Sequence, residues 1–139
     1  MFFVLGKRQI VLILLLIAVI SAAVFTSFMQ KDENTDICLR YLESIGYSSE
    51  ESPYEVAEVT IPEGFGTVYE NYNALQKKAG FDLTPYRGMT LLRYSFRLYD
   101  KNYTIANFLI SDGKICGGDI LNPSIGGNML PLTGADYET

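Results

Sequence analysis

The chain has 139 residues, a formal net charge of −5, two cysteines and no histidine. The absence of histidine removes the commonest general base, the Cys-His nucleophile and the usual transition-metal ligand, and two cysteines cannot form a four-thiolate zinc site. A negative charge without a polybasic run argues against nucleic-acid binding. We therefore expect no cofactor, no metal and no nucleic-acid partner.

The first element along the chain is an apolar segment, Ile10 to Met29, with twenty residues and no charge, proline or glycine. As a helix it would rise about 30 Å, which matches the hydrocarbon core of a bilayer. Lys7 and Arg8 precede it and acidic residues follow it, so the basic side should stay cytoplasmic. We predict a single-pass protein of the cell membrane that contacts the lipid bilayer through Ile10 to Met29, with its C-terminal part outside.

A cleavable signal peptide is the alternative, with the small residues Ser21, Ala22 and Ala23 at the cleavage site. The apolar run continues beyond these residues to Met29, which favours an uncleaved anchor. The rest of the chain is long enough for one domain and too short for two. The predicted layout is a cytoplasmic tail (1–9), a transmembrane helix (10–29), a linker (30–35), an extracytoplasmic α+β domain (36–121) and a loose tail (122–139).

The exported part begins with helical and strand signals. Apolar spacing and glycine positions predict, in order, a helix from Asn34 or Thr35 to Ile45, a strand over about Val56 to Ile61, and a helix from Phe65 to Ala79 that ends at Gly80. The last of these carries the strongest periodicity, and its apolar stripe should pack on a sheet.

Three strands should follow the second helix. Leu92, Tyr94, Phe96 and Leu98 alternate with Arg93, Ser95 and Arg97, which predicts one face buried against that helix and one wet face. A turn at Asp100 to Asn102, a return strand from Tyr103 to Ile110, a two-residue turn at Asp112-Gly113 and a strand from Lys114 to Ile120 complete a meander. The predicted fold is α+β, with two helices packed on a three- to four-stranded antiparallel sheet.

Two runs carry a resemblance to a known family. They are VTIPEGFGTVYENYNALQKKAGFDLTPYRG and, further along, ANFLISDGKICGGDI. Over most of Asp36 to Ile120 the chain resembles the domain of unknown function 4830 family of small membrane-anchored bacterial proteins. The resemblance implies an anchor and an envelope location, and it implies no activity, ligand or catalytic residue.

The residues around Cys116 are the first candidates for chemistry. A lone cysteine in a strand pattern is more often a small buried hydrophobe than a catalytic thiol. A disulfide between Cys38 and Cys116 is an alternative outside the cytoplasm. Gly117-Gly118 indicates a bulge rather than an anion-binding nest, since no helical pattern follows. Asp119 should then end its strand in solvent.

Acidic and aromatic side chains are the remaining candidates. Six glutamates could serve a carboxylate hydrolase or bind calcium, although a solvated acidic face is the default interpretation: Glu50, Glu51, Glu55, Glu58, Glu63 and Glu70. Tyr86, Tyr99 and Tyr103 fall at turns or strand ends and, with Asp119, form the candidate ligand or partner surface. We expect a non-catalytic binding or regulatory module that meets an envelope protein or a cell-wall partner. The alternative is an envelope hydrolase that uses carboxylates.

Overall fold

The chain divides into two compact units, Met1–Asp32 and Glu33–Thr139. The computed structural model describes residues 4–29, 32–99, 105–122 and 128–134, with side chains of the first helix described as far as Ala23. That helix, α1, spans Lys7–Met29, and its described side chains are exposed. Among the described residues, no helix combines the length and the apolar character needed to cross a membrane.

The described residues of the second unit form two α-helices and five strands. In chain order they are α2 (Glu33–Ser44), β1 (Glu55–Thr60), α3 (Thr67–Lys78), a short 3-10 turn (Thr84–Tyr86), β2 (Thr90–Arg97), β3 (Ile105–Ser111), β4 (Lys114–Leu121) and β5 (Met129–Leu130). The predicted α+β class and the antiparallel sheet are confirmed. The sheet has one strand more than the predicted upper number of four, because β5 joins it.

All five strands are antiparallel, in the order β1-β2-β3-β4-β5. The β2-β3-β4 part is the predicted meander. The β3-β4 turn is Asp112-Gly113, where both residues have positive φ (49° and 70°) as a two-residue hairpin requires. The predicted turn at Asp100 to Asn102 lies outside the described residues.

The two helices pack on opposite faces of this sheet. On one face, which we call the α2 face, Cys38 and Leu42 of α2 join Phe96, Phe108 and Ile120 in one buried cluster. Side chains alternate between faces along a strand, so the neighbours of these strand residues point to the other side.

On that other side, which we call the α3 face, Phe65, Tyr69 and Tyr72 pack against a second cluster that contains Leu91 and Leu109. The prediction that the apolar stripe of α3 packs on Tyr94, Phe96 and Leu98 is therefore wrong, because these three residues belong to the cluster on the α2 face. The face of β2 that was predicted to be wet is covered by α3, so Ser95 is buried there together with Leu91. Leu92, which was predicted to be buried on the opposite face, is instead exposed.

The glycine pair and Cys116 lie in β4, whereas Cys38 lies in α2. The register between β3 and β4 shifts at Leu109/Ile110, where Gly117 pairs with Leu109 and Ile115 pairs with Ile110. The irregularity predicted at Gly117-Gly118 is therefore present in β4, but the extra residue is Cys116, and both glycines keep their partners on β3. Cys116 is a buried strand residue, as predicted, in the cluster on the α3 face. Cys38 belongs to the cluster on the α2 face, and the two cysteines form no disulfide.

Part of the tail that we predicted to be loose belongs to the sheet. Met129 and Leu130 of β5 pair with Leu121 and Ile120 of β4. Leu132 is buried in the cluster on the α2 face, and its carbonyl oxygen accepts a hydrogen bond from Tyr41 Oη at 3.0 Å. Apolar burial fixes this segment although it lacks any periodic pattern.

Candidate functional site

A line of polar side chains crosses the α3 face of the sheet. The strand register places Ser95 opposite Asn107 and Asn107 opposite Asp119 on three adjacent strands. Ser95 Oγ donates a hydrogen bond to Asn107 Oδ1 at 2.6 Å, and Asn107 Nδ2 donates one to Asp119 Oδ1 at 2.9 Å. Tyr72 of α3 donates its hydroxyl proton to Asp119 Oδ2 at 2.8 Å. We call these four residues the polar ladder.

The carboxyl group of Asp119 lies in an unusual setting for its charge. Only 4% of the residue is exposed, and burial raises the pKa of Asp119 above its ordinary value, although the hydrogen bonds from Asn107 and Tyr72 oppose the rise. Burial and the neighbouring Asp119 charge raise the pKa of Tyr72, which keeps its hydroxyl protonated as a donor. The prediction that Asp119 ends its strand in solvent is wrong, because Asp119 lies within β4 and under α3.

An arginine borders the polar ladder. Arg93 lies two residues before Ser95 on the same face of β2, and its charge lowers the pKa of Asp119, which burial raises. Arg93 Nη2 forms an ion pair with Glu55 Oε2 of β1 at 2.8 Å. Arg93 Nε is buried without a hydrogen-bond partner among the described residues. The Arg93–Glu55 pair thus continues the polar line as far as β1.

A second polar side chain of α3 explains the adjacent glycines. Gln76 is fully buried, and its Oε1 accepts the backbone N–H of Gly118 at 2.8 Å. A Cβ on Gly117 would lie 2.8 Å from that same oxygen, so a side chain there would displace Gln76. The glycines therefore let α3 approach the sheet. Together with the polar ladder, Gln76 fixes α3 to β4.

Of the three predicted surface tyrosines, two lie within the described residues. Tyr99 is 72% exposed at the end of β2. Tyr86 is half-buried against the α3-face cluster, and the neighbouring Cys116 thiol raises the pKa of Tyr86. Tyr103 lies outside the described residues. The structure thus leaves Tyr99 as an exposed aromatic and does not bring it together with Asp119.

The glutamates do not converge. Glu55 is paired with Arg93, and Glu50 lies 3.9 Å from Arg97. Glu58 is on β1, whereas Glu70 is on α3. No group of three or more cysteine, aspartate or glutamate residues within the described part of the chain could hold a metal ion. The arrangement of the glutamates fits the default interpretation, in which they form a solvated acidic face.

The outer edge of β1 is a feature that sequence reasoning missed. Ile61 N donates to Met89 O at 2.8 Å, and antiparallel pairs alternate in hydrogen bonding, so the odd-numbered residues of β1 face β2. The N–H and C=O groups of Val56, Glu58 and Thr60 therefore face away from the sheet. We call these three residues the β1 edge. Within the described residues β2 is the only strand beside β1.

A family model for a domain of unknown function (DUF4830) matches residues 41–120, which is more than half of the chain. The chain belongs to this family. The matched DUF4830 region contains β1 to β4 almost completely, with all of α3, the polar ladder and the β1 edge. The resemblance seen in the sequence runs is thereby confirmed. Comparison with curated proteins and with solved structures gave no match.

Proposed function

We propose that the chain is a membrane-anchored extracytoplasmic binding or regulatory module of the bacterial cell envelope. The proposed anchor is the segment Ile10 to Met29, with the N-terminus in the cytoplasm and the DUF4830 domain outside. Leucine, isoleucine and valine side chains are exposed along the described part of α1, as a helix surrounded by lipid would present them. Lys7 and Arg8 support the orientation.

The observation that carries the binding role is the β1 edge. A strand with unpaired outward N–H and C=O groups is a ready template for another extended segment, and proteins that do not use such an edge commonly block it. Val56 of this edge is 48% exposed, and Leu92, the β2 partner of Glu58, is 37% exposed. This combination of backbone groups and apolar surface suits a binding partner better than it suits catalysis.

The hydrolase alternative rests on Asp119, the buried carboxyl group with a raised pKa. Raised carboxyl pKa values are characteristic of general acids, which gives the alternative a physical basis. Both oxygens of Asp119 are, however, held by Asn107 and Tyr72. We therefore interpret Asp119 as the residue that anchors α3, and propose the hydrolase as the second candidate only.

A topology experiment tests the proposed anchor and orientation. Glu51→Cys should react with a membrane-impermeant maleimide in intact cells, and Val4→Cys should react only after permeabilisation. The two native cysteines are buried and should stay unlabelled in the folded protein. Release of the domain into the medium with an N-terminus near Val24 would instead establish the signal-peptide alternative.

A crosslinking scan tests the binding role. A photo-crosslinking amino acid replaces one exposed residue at a time in intact cells, at Val56 of the β1 edge, at Val68 on α3 and at Tyr99. A binding module should give a discrete adduct of constant size from one surface and none from the others. The absence of an adduct from all three positions would contradict the proposal.

A further inference from the structure

We infer that the β1 edge binds an extended, basic segment of a partner protein, which adds to the sheet as a sixth strand. The inference rests on the proposed binding function and specifies its site and the chemistry of its partner. It depends on three features of β1, which are its outward backbone groups, its exposed apolar surface and its charge.

The backbone of β1 supplies the first feature. Val56, Glu58 and Thr60 offer three N–H donors and three C=O acceptors at the spacing of a strand. An added strand would satisfy all six groups without any change in the β1-β2 ladder, whose bonds involve the other residues. No proline or glycine interrupts β1.

The side chains beside this edge supply the second feature. Val56, Glu58 and Thr60 point to the α2 face, where their partners on β2 are Tyr94, Leu92 and Thr90. The α2-face cluster includes Tyr94 but neither Val56 nor Leu92, which stay exposed. Apolar or β-branched residues of an added strand would cover Val56, since residues directly opposite on neighbouring strands contact each other.

The charge of the edge defines the partner. Between Asp32 and Glu70 the chain has ten acidic residues and one basic residue, Arg40. Glu55 is paired with Arg93, but no cation among the described residues pairs with Glu58. The central position of the edge is therefore an unneutralised carboxylate. It selects a lysine or arginine directly opposite.

A second copy of this chain is a poorer occupant of the same edge. The antiparallel register that pairs Val56 with Thr60 of the other copy also places Glu58 directly opposite its own equivalent. Like charges in that position are destabilising. The same carboxylate therefore disfavours self-association and favours a foreign basic strand.

A synthetic peptide provides the probe. It is a capped heptapeptide of sequence Thr-Val-Thr-Lys-Thr-Val-Thr, which is symmetric, so lysine faces Glu58 in either strand direction. A matched peptide carries glutamate at its centre. Binding is measured to the full chain in a zwitterionic detergent by the shifts of the backbone amide signals of Val56, Glu58 and Thr60. We expect the lysine peptide to bind about fivefold more tightly, the ratio for one favourable against one unfavourable charge pair.

Two variants and two modified peptides test the geometry. Glu58→Lys should reverse the preference between the two peptides, whereas Glu70→Lys, which makes the same charge change on α3, should leave it unchanged. In an antiparallel complex the N–H groups of the peptide's lysine and valines face β1, so methylation of those nitrogens should abolish binding and methylation of the threonine nitrogens should not. A parallel complex would give the reverse pattern, so the two sets of methylated peptides also report the direction of the added strand. These peptides leave the protein intact, so a folding defect cannot explain the result.

The outcomes separate the inference from the proposed function. Equal binding of the lysine and glutamate peptides, insensitivity to the position of N-methylation, or signal shifts away from β1 would each overturn the inference. Crosslinks from Val68 or Tyr99 without one from Val56 would also overturn it, while the binding function would stand. Self-association of the full chain through β1, abolished by Glu58→Pro, would assign the edge to a second copy instead.

Discussion

The hydroxyl group of Tyr72 gives the sharpest test of the polar ladder. Tyr72→Phe keeps the ring in the α3-face cluster and removes only the donor to Asp119 Oδ2. The buried carboxyl group of Asp119 then keeps the hydrogen bond from Asn107 and loses the other of its two side-chain hydrogen bonds. We expect this change to destabilise the fold by an amount that depends on pH.

The magnitude follows from the charge on Asp119. Below about pH 3.9, the ordinary pKa of aspartate, the carboxyl group is protonated in both the folded and unfolded states, and the lost hydrogen bond is between neutral groups, about 1 kcal/mol. When Asp119 is ionised, a hydrogen bond to the carboxylate contributes about 2 to 3 kcal/mol. The difference of about 1.4 kcal/mol corresponds to one further unit of increase in the pKa of folded Asp119.

The direction of the pH dependence follows from the raised pKa of Asp119. The stability that this group contributes is fully present below its unfolded pKa and is lost as pH rises through its folded pKa, because the unfolded state releases the proton first. Tyr72→Phe raises the folded pKa further, so the loss becomes larger. The variant should therefore fall increasingly behind the parent protein as the pH increases from about 3.5 to 8.

Urea unfolding of the full chain in a non-ionic detergent measures this effect across the pH range. Tyr69→Phe is the matched control, since Tyr69 packs beside Tyr72 on the same helix and its hydroxyl has no hydrogen bond to a described residue. A cost that does not change with pH, or an equal cost in the control, would refute the assigned role of Tyr72.

Two further comparisons test the packing of the sheet. Gly118→Ala would place a Cβ against the carbonyl oxygen of Asn107, where the backbone of β3 cannot yield, so we expect a loss of about 3 kcal/mol or more. Gly113→Ala has open space and only a positive φ, and should cost about 1 kcal/mol; equal melting temperatures would contradict the steric argument. Phe96→Ala removes a fully buried ring and should cost about 3 to 5 kcal/mol, whereas exposed Arg97→Ala should cost below about 1 kcal/mol, and equal losses would invalidate the face assignment.

Features set by local chemistry were predictable from the sequence. The end of α3 is an example, because Gly80 has a φ of 85° and the Phe81 N–H donates to Gln76 O, as in a glycine-terminated helix. The Asp112-Gly113 turn is another, since few residue pairs accept its backbone conformation. In both cases the determinant lies within a few residues of the structure that it produces.

Features that depend on distant residues were not predictable. Ser95, Asn107 and Asp119 look like polar residues of wet strand faces, and only the strand register brings them together under Tyr72. The sheet face against which α3 packs was unpredictable for the same reason. Leu91 and Leu109 are far apart in the sequence, and only the folded sheet brings them into one surface. One feature of the sequence could have indicated the polar ladder. Each of the three central strands carries a short polar residue in its interior, and these are Ser95, Asn107 and Asp119.

The position of β1 in the chain affects how the sheet forms. Strands β2, β3 and β4 follow one another along the chain, whereas α3 and its flanking loops separate β1 from β2. The three central strands can therefore assemble from local contacts, and β1 joins only after a longer loop has closed. Amide hydrogens of β3, the middle strand of the five, should exchange most slowly, and those of β1 should exchange by local opening. The strand with the open edge is thus also the one that can leave and rejoin the sheet while the rest of the domain stays folded.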